Sequence, residues 1–168
     1  MSRKRRGTLW WLIVLVALAF LAERGLRERA PQPVSGEGWW VVERVIDDDT
    51  LELDGGERVR LIGVDTPELR DPRELARSYA HLAKEVVRQA CEGQRVRLAY
   101  DQQLRDRYGR TLAYVYLADG TFLNAELIRQ GYGFAYTRFP FAYQEEFRRL
   151  EQEAREAQRG LWARHGAR

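Results

Sequence analysis

The chain is poor in the residue types on which many active sites depend. Its 168 residues include one cysteine, Cys91, and two histidines, His81 and His165. One thiol allows neither an internal disulfide nor a cysteine metal cluster. Two histidines leave little from which to build a Ser–His–Asp triad or a zinc site. Cys91, beside Ala90 and Val87, reads as a small buried residue rather than a nucleophile. His81 is one step from Leu82 and reads as a helix-surface residue. Basic excess is scarce as well, once the ends are separated. Residues 1–30 hold seven basic and two acidic residues, whereas 31–168 hold 21 basic and 23 acidic. The formal net charge of +3 therefore belongs to the leader, and composition alone does not mark the body as a nucleic-acid binder. Any phosphate site must be a local arrangement. With 45% hydrophobic and 32% charged residues, the chain suits one globular domain with a real core.

The leader has the basic cluster Arg3–Arg6 followed by an uncharged run from Gly7 to Ala22. This is the pattern of a signal anchor or a secretory signal, here assigned to residues 1–27. The apolar stretch 8–22 spans about 22 Å as a helix, against a hydrocarbon core of roughly 30 Å. Flanking Arg6 and Arg24 can extend it. Ala17-Leu18-Ala19 is the small-x-small cleavage pattern, inside the run, so both an uncleaved anchor and a cleaved signal stay open. Either exports the body. Residues 28–38, with two prolines and two glycines between 31 and 38, read as a linker. The domain is expected over 39–163, with a tail at 164–168.

Within the body, strands are expected at Trp39–Ile46, Thr50–Leu53 and Arg58–Val64, joined by turns at Asp47-Asp48-Asp49 and Asp54-Gly55-Gly56. In the third, Val59, Leu61 and Gly63 face one side; Arg58, Arg60 and Ile62 face the other. A helix over Glu74–Cys91 presents Leu75, Tyr79, Leu82, Val86 and Ala90, and Gly93 ends it. Strands follow at Arg95–Tyr100 and Thr111–Leu117, then a helix over Asn124–Gln130 stopped by Gly131. A last helix runs from about Ala142 to Arg159, with Tyr143, Phe147, Leu150, Ala154 and Ala157 in register and Gly160 as its cap. Five short strands with a helix between the third and fourth suit an α+β, OB-type barrel. The absence of βαβ alternation disfavours a doubly wound sheet.

Chemistry concentrates in 22 residues. Asp47, Asp48 and Asp49 share a turn, and Asp65 and Glu68 end the third strand. If the two places converge, the carboxylates repel by about 4 kcal/mol per pair at 4 Å unless a cation offsets them. Carboxylates with backbone carbonyls select Ca²⁺ or Mg²⁺ over Zn²⁺. A solvated acidic turn is the plainer alternative. Arg60, and Arg110 after Tyr108-Gly109, stand near this cluster. Carboxylates with arginines suit phosphoryl chemistry. The alternative for Arg60 is a solvent-facing strand position, as for Arg95 and Arg97.

Several ordered motifs resemble the staphylococcal (micrococcal) nuclease, or thermonuclease, family. They are Ile46-Asp-Asp-Asp-Thr50, Arg60-Leu-Ile-Gly-Val-Asp65-Thr-Pro-Glu68, Asp106-Arg-Tyr-Gly-Arg110 with its strand to Tyr116, Leu123–Gly131, and Gly160-Leu-Trp162. The resemblance covers about Trp40 to Trp162. It implies a five-stranded OB-fold barrel with about three packed helices, here preceded by an N-terminal hydrophobic helix. It implies Ca²⁺-dependent cleavage of DNA and RNA to 3′-phosphate ends. Carried over by position, Asp49 and Asp65 are the carboxylate ligands of Ca²⁺, Thr66 its carbonyl ligand and Asp47 the nearby outer acid. By the same resemblance Glu68 looks like the general base, Arg60 and Arg110 look like the pair that binds the phosphate and stabilises the transition state, and Tyr108 and Tyr136 resemble the tyrosines that line the nucleotide pocket. Two places depart from the pattern. Asp48 stands where the family usually has Gly, and Arg138 and Phe139 occupy a pocket segment usually rich in Tyr and Lys.

The expectation is an exported, membrane-tethered or secreted monomeric nuclease that favours single strands, because an OB groove with tyrosines stacks bases. The rival is a catalytically weak or inactive nucleic-acid-binding module on the same barrel. What separates them is the full set Asp49, Asp65, Glu68, Arg60 and Arg110, and all five are present.

Overall fold

Alternation builds the barrel. The computed structural model describes residues 34–35, 38–66 and 74–163, with side chains described over 38–66 and 80–163. The chain divides into two compact units, 1–30 and 31–168. The apolar leader, Glu68 and the tail 164–168 lie outside the described residues.

Strands β2 (Trp40–Asp47), β3 (Thr50–Leu53) and β4 (Arg58–Leu61) form an antiparallel meander. β6 (Arg95–Tyr100) and β7 (Thr111–Leu117) complete the sheet in the order β6-β2-β3-β4-β7. Pairing of β6 with β7 closes it, and β4 runs parallel to β7. This closed five-stranded barrel, packed with three helices, is an OB-type α+β fold. Inside lie Val42, Val45, Leu51, Leu53, Val59, Leu61, Val96, Leu98, Ala113 and Val115. In β3, β4, β6 and β7 they are period-two residues, while Arg58, Arg95 and Arg97 point out; in β2 a register shift against β3 between Val42 and Arg44 spaces Val42 and Val45 three apart. Within the expected linker, β1 (Val34–Ser35) pairs with β6, so strand pairing starts five residues before Trp39.

The third strand is shorter than expected. It breaks after Leu61 and resumes as β5 (Val64–Asp65), which pairs with β8 (Phe134–Ala135). Gly63 makes the break, with φ +72°. A Cβ there would lie 2.6 Å from the Phe141 ring and 2.9 Å from Phe147. Ile62, at the bend, is buried. Buried Asn124 ties the bend down: its Nδ2 donates to Ile62 O (3.0 Å) and Ala113 O (3.2 Å), and its Oδ1 accepts from Val115 N (2.9 Å).

Helix α1 (Glu74–Cys91) has the expected limits but a different inner face. Ala80, Ala83, Val87 and Cys91 are buried, whereas Leu82 is 46% exposed. Small residues let the helix sit close against β2, where Glu92 accepts from Val45 N (3.1 Å) and Lys84 donates to the Ile46 carbonyl. His81 is exposed, and burial pushes the Cys91 thiol up to about 12, which leaves it inert. Helix α2 (Leu123–Arg129) packs on β7 and on helix α3 (Gln144–Glu156). Phe147, Leu150 and Ala154 of α3 face inward, and Ala157 lies past its end and is exposed. Gln158, at φ +52°, turns the chain after α3, so Gly160 is not its cap. Gly160 instead lies against the Gly131 backbone, where a Cβ would meet Gly131 O at 2.3 Å.

Candidate active site

Three segments meet at one rim: the β2–β3 turn, the β4–β5 bend and the loop before β7. Backbone pairing sets the first two in register. Thr50 is the partner of Arg60, and Leu61 N donates to Asp49 O at 2.9 Å. Arg60 Nη2 then stands 3.0 Å from Asp49 Oδ2 and 3.7 Å from Asp65 Oδ1. The Arg60 and Asp49 side chains are each only 15% exposed. Arg60 Nη1 donates to the Leu61 (2.9 Å) and Val64 (2.7 Å) carbonyls, strapping the bend that delivers Asp65. The solvent-facing reading of Arg60 is therefore wrong, because the bend folds the strand end over the guanidinium.

Arg110 arrives from a tight turn in which Gly109 takes φ +80°. Asp106 organises that turn. Its Oδ1 accepts from Tyr108 N (2.9 Å) and Arg110 N (3.0 Å), and its Oδ2 accepts from Arg110 Nε (2.7 Å). Burial pushes the Asp106 carboxyl up, but these hydrogen bonds and the guanidinium charge outweigh it and hold it below the usual range. Arg110 Nη1 donates to Thr50 Oγ1 (3.1 Å), which donates to Asp49 Oδ1 (2.9 Å). A line of two hydrogen bonds and an ion pair thus runs from Arg110 through Thr50 and Asp49 to Arg60. Asp106 and Thr50 were given no role in the sequence reading. The signal for Asp106 was the Asp-x-x-Gly turn pattern, and for Thr50 its place next to Asp49.

The remaining site residues divide. Asp47 is exposed on the turn, and the Thr66 hydroxyl lies 3.5 Å from Asp49 Oδ2. Asp48 is buried, with 4% of its surface accessible, and its Oδ2 has no hydrogen-bond partner among the described residues. Burial, with the charges of Asp49 and Asp47, pushes its carboxyl up to about 6 against the pull of the Thr66 hydroxyl and its own amide. Tyr108 is 69% exposed, with its ring 5.6 Å from the Arg110 guanidinium and 4.8 Å from that of Arg107. An open cleft beside it is lined by Gly56, Glu57, Arg58, Tyr108, Gly109 and Arg110. Tyr136 donates its N–H to Gly63 O (2.9 Å), and its ring lies 6.1 Å from Phe139. Both tyrosines lie beside site elements, one on the Arg110 turn and one next to β8.

The donor set fits a hard cation. Asp49, Asp65 and the Thr66 carbonyl offer only oxygen, the donor type of Ca²⁺ and Mg²⁺, which also keep water ligands. Among the described residues no three His, Cys, Asp or Glu side chains gather to hold a metal by themselves. Asp48, next to Asp49, adds an orphaned buried oxygen, Oδ2, which has no hydrogen-bond partner among the described residues.

A small OB-type barrel that sets two arginines against acidic turns is an arrangement suited to an anionic, phosphate-bearing ligand. The comparisons are narrower. The staphylococcal nuclease homologue family model matches residues 58–164. The chain is 38% identical to the thermonuclease of Staphylococcus intermedius, over 98% of this chain and all of that protein. It is 35% identical to the thermonuclease of Staphylococcus hyicus, over 90% and 91%. Endonuclease YncB of Bacillus subtilis is 34% identical, over 74% of this chain and 62% of its own length. The chain belongs to the staphylococcal nuclease family.

Proposed function

We propose that the protein is a Ca²⁺-dependent nuclease that hydrolyses DNA and RNA with little sequence preference and leaves 3′-phosphate ends. The observation that carries this reading is the line Arg110–Thr50–Asp49–Arg60, which fixes two guanidiniums beside two carboxylates. Relatives named thermonuclease and endonuclease support it. A phosphodiester anion resists attack until its charge is offset. Arg60 and Arg110 bind its non-bridging oxygens and stabilise the additional charge of the five-coordinate transition state, a donor-by-donor effect of a few kcal/mol each. Asp49, Asp65 and the Thr66 carbonyl would hold the cation, with Asp47 as an outer acid. When bound, Ca²⁺ supplies Lewis-acid charge against the phosphate. Glu68, three residues beyond Asp65, takes the proton of the attacking water. The water oxygen bonds to phosphorus, and the 5′-oxygen leaves.

Tyr108 and Tyr136 receive nucleotide rings, and an exposed tyrosine ring favours single strands, whose bases are free to stack. The leader exports the domain, either as a membrane tether through residues 8–22 or as a removed signal, and the domain acts as a monomer. Among the described residues no helix is long and apolar enough to cross a membrane; the leader lies outside them.

The test is hydrolysis of single-stranded DNA and RNA by the full-length protein in Ca²⁺, with end-group analysis and Glu68→Gln alongside. The reading predicts 3′-phosphate ends and a loss of turnover of at least about 10²-fold in Glu68→Gln. Wild-type turnover in that variant would remove Glu68 from the base role. Binding of DNA without cleavage by folded wild-type protein would turn the assignment to the binding module.

A further inference from the structure

Asp48 is a carboxylate in the wrong place for a folded protein without a ligand. It is 4% exposed, and it lies between two other acidic residues on one turn. Its Oδ2 has no hydrogen-bond partner among the described residues. Leaving a buried carboxylate oxygen unpaired is costly, and such groups persist where something absent from the protein itself completes them. Among the described residues, Arg60 and Lys84 are already engaged. Arg60 is held by Asp49, Asp65 and two carbonyls, and Lys84 donates to the Ile46 carbonyl. The Thr66 hydroxyl is close to both Asp48 and Asp49, so Asp48 borders the same small volume as the cation-ligand candidates.

We propose that Asp48 is a positioning acid of the cation site, strengthening Ca²⁺ binding by adding a buried negative charge whose unpartnered oxygen is satisfied by the hydrated cation. The inference rests on the Ca²⁺ reading above and adds a residue to it. Affinity at oxygen-donor sites rises with the number of carboxylate charges. A chain with Asp here should therefore hold Ca²⁺ more tightly than the same chain with a neutral residue. In the cation-free protein the same charge is a liability, since Asp47 and Asp49 repel it.

Those two consequences have opposite signs, and the experiment reads both. Calcium is titrated into the full-length protein without nucleic acid by calorimetry, and thermal unfolding is followed with Ca²⁺ and with chelator. Asp48→Asn keeps the shape and removes the charge; Asp48→Gly removes the side chain. Both variants are expected to bind Ca²⁺ at least about tenfold more weakly. Both should melt no lower than wild type in chelator and gain less from added Ca²⁺. A purely structural Asp48 would instead lower the melting temperature in chelator and leave the gain from Ca²⁺ intact, which overturns the inference. So does a Ca²⁺ affinity in Asp48→Asn equal to that of wild type. If wild-type protein binds no Ca²⁺ at all, the inference and the Ca²⁺ reading fall together.

Discussion

Replacing Arg60 with Ala separates what the guanidinium does for the fold from what it does for chemistry. In the cation-free protein Arg60 is the positive charge between Asp49, 3.0 Å away, and Asp65, 3.7 Å away. At an effective dielectric of 20 these contacts correspond to about 5.5 and about 4.5 kcal/mol of Coulomb energy before desolvation. Desolvation takes most of that back. Removing one partner of a buried pair costs about 3–5 kcal/mol, and the half-exposed Asp65 argues for the lower end. Arg60→Ala should thus lose about 3 kcal/mol of stability in chelator. Added Ca²⁺ restores positive charge near the same carboxylates, so the stability gap should narrow. Turnover should not recover, because the phosphate has lost a donor worth about 10²–10³ in rate. The assay is urea unfolding in chelator and in Ca²⁺, paired with single-stranded DNA hydrolysis. A stability gap untouched by Ca²⁺ would refute the idea that Arg60 and the cation serve the same carboxylates. Near-normal turnover would refute its role at the phosphate.

Other outcomes follow from the same geometry. Asp106→Ala should cut turnover by about tenfold or more through loss of Arg110 placement, since side-chain positioning carries much of the rate; an unchanged rate would mean that Thr50 alone holds Arg110. Because the Asp106 carboxyl is held below its unfolded value, its stabilisation is present above about pH 4 and lost as pH falls through the depressed folded value. The melting-temperature gap between wild type and Asp106→Asn should accordingly close in acid, and a gap constant from neutral pH to about pH 3 would contradict this. Gly63→Ala combines a positive φ with a 2.6 Å approach to Phe141 and should cost about 3 kcal/mol in thermal or urea unfolding. Tyr108→Ala should raise KM for single-stranded DNA about tenfold, with a smaller effect on kcat, if its exposed ring stacks a base.

Local pattern and tertiary contact divide what could be read in advance. β3, β6 and β7 have the limits that alternation implies, and α1 has those implied by its Gly93 stop. The break at Gly63 was hidden because its cause is the packing of Phe141 and Phe147, 78 and 84 residues later in the chain. The inner face of α1 differs from the one its hydrophobic pattern implies, because hydrophobicity favours Leu82, whereas close approach to β2 favours Ala80 and Ala83. In the site, Asp49, Asp65, Arg60 and Arg110 were legible as residue types and motifs. Asp106 and Thr50 were not, since their roles exist only once the turn closes and β3 pairs with β4. Gly160 was read as a helix stop, a local role, when its function is contact with Gly131.

The reaction proposed for this rim is phosphodiester hydrolysis with Ca²⁺ held by Asp49 and Asp65. Its most direct test is the cleavage rate of a single-stranded oligonucleotide by full-length protein in about 10 mM Ca²⁺ and in excess chelator. Rapid cleavage in Ca²⁺, none in chelator, and loss of the Ca²⁺ response in Asp49→Asn is the predicted result. Equal cleavage in both solutions, or none in either from folded protein, would contradict it.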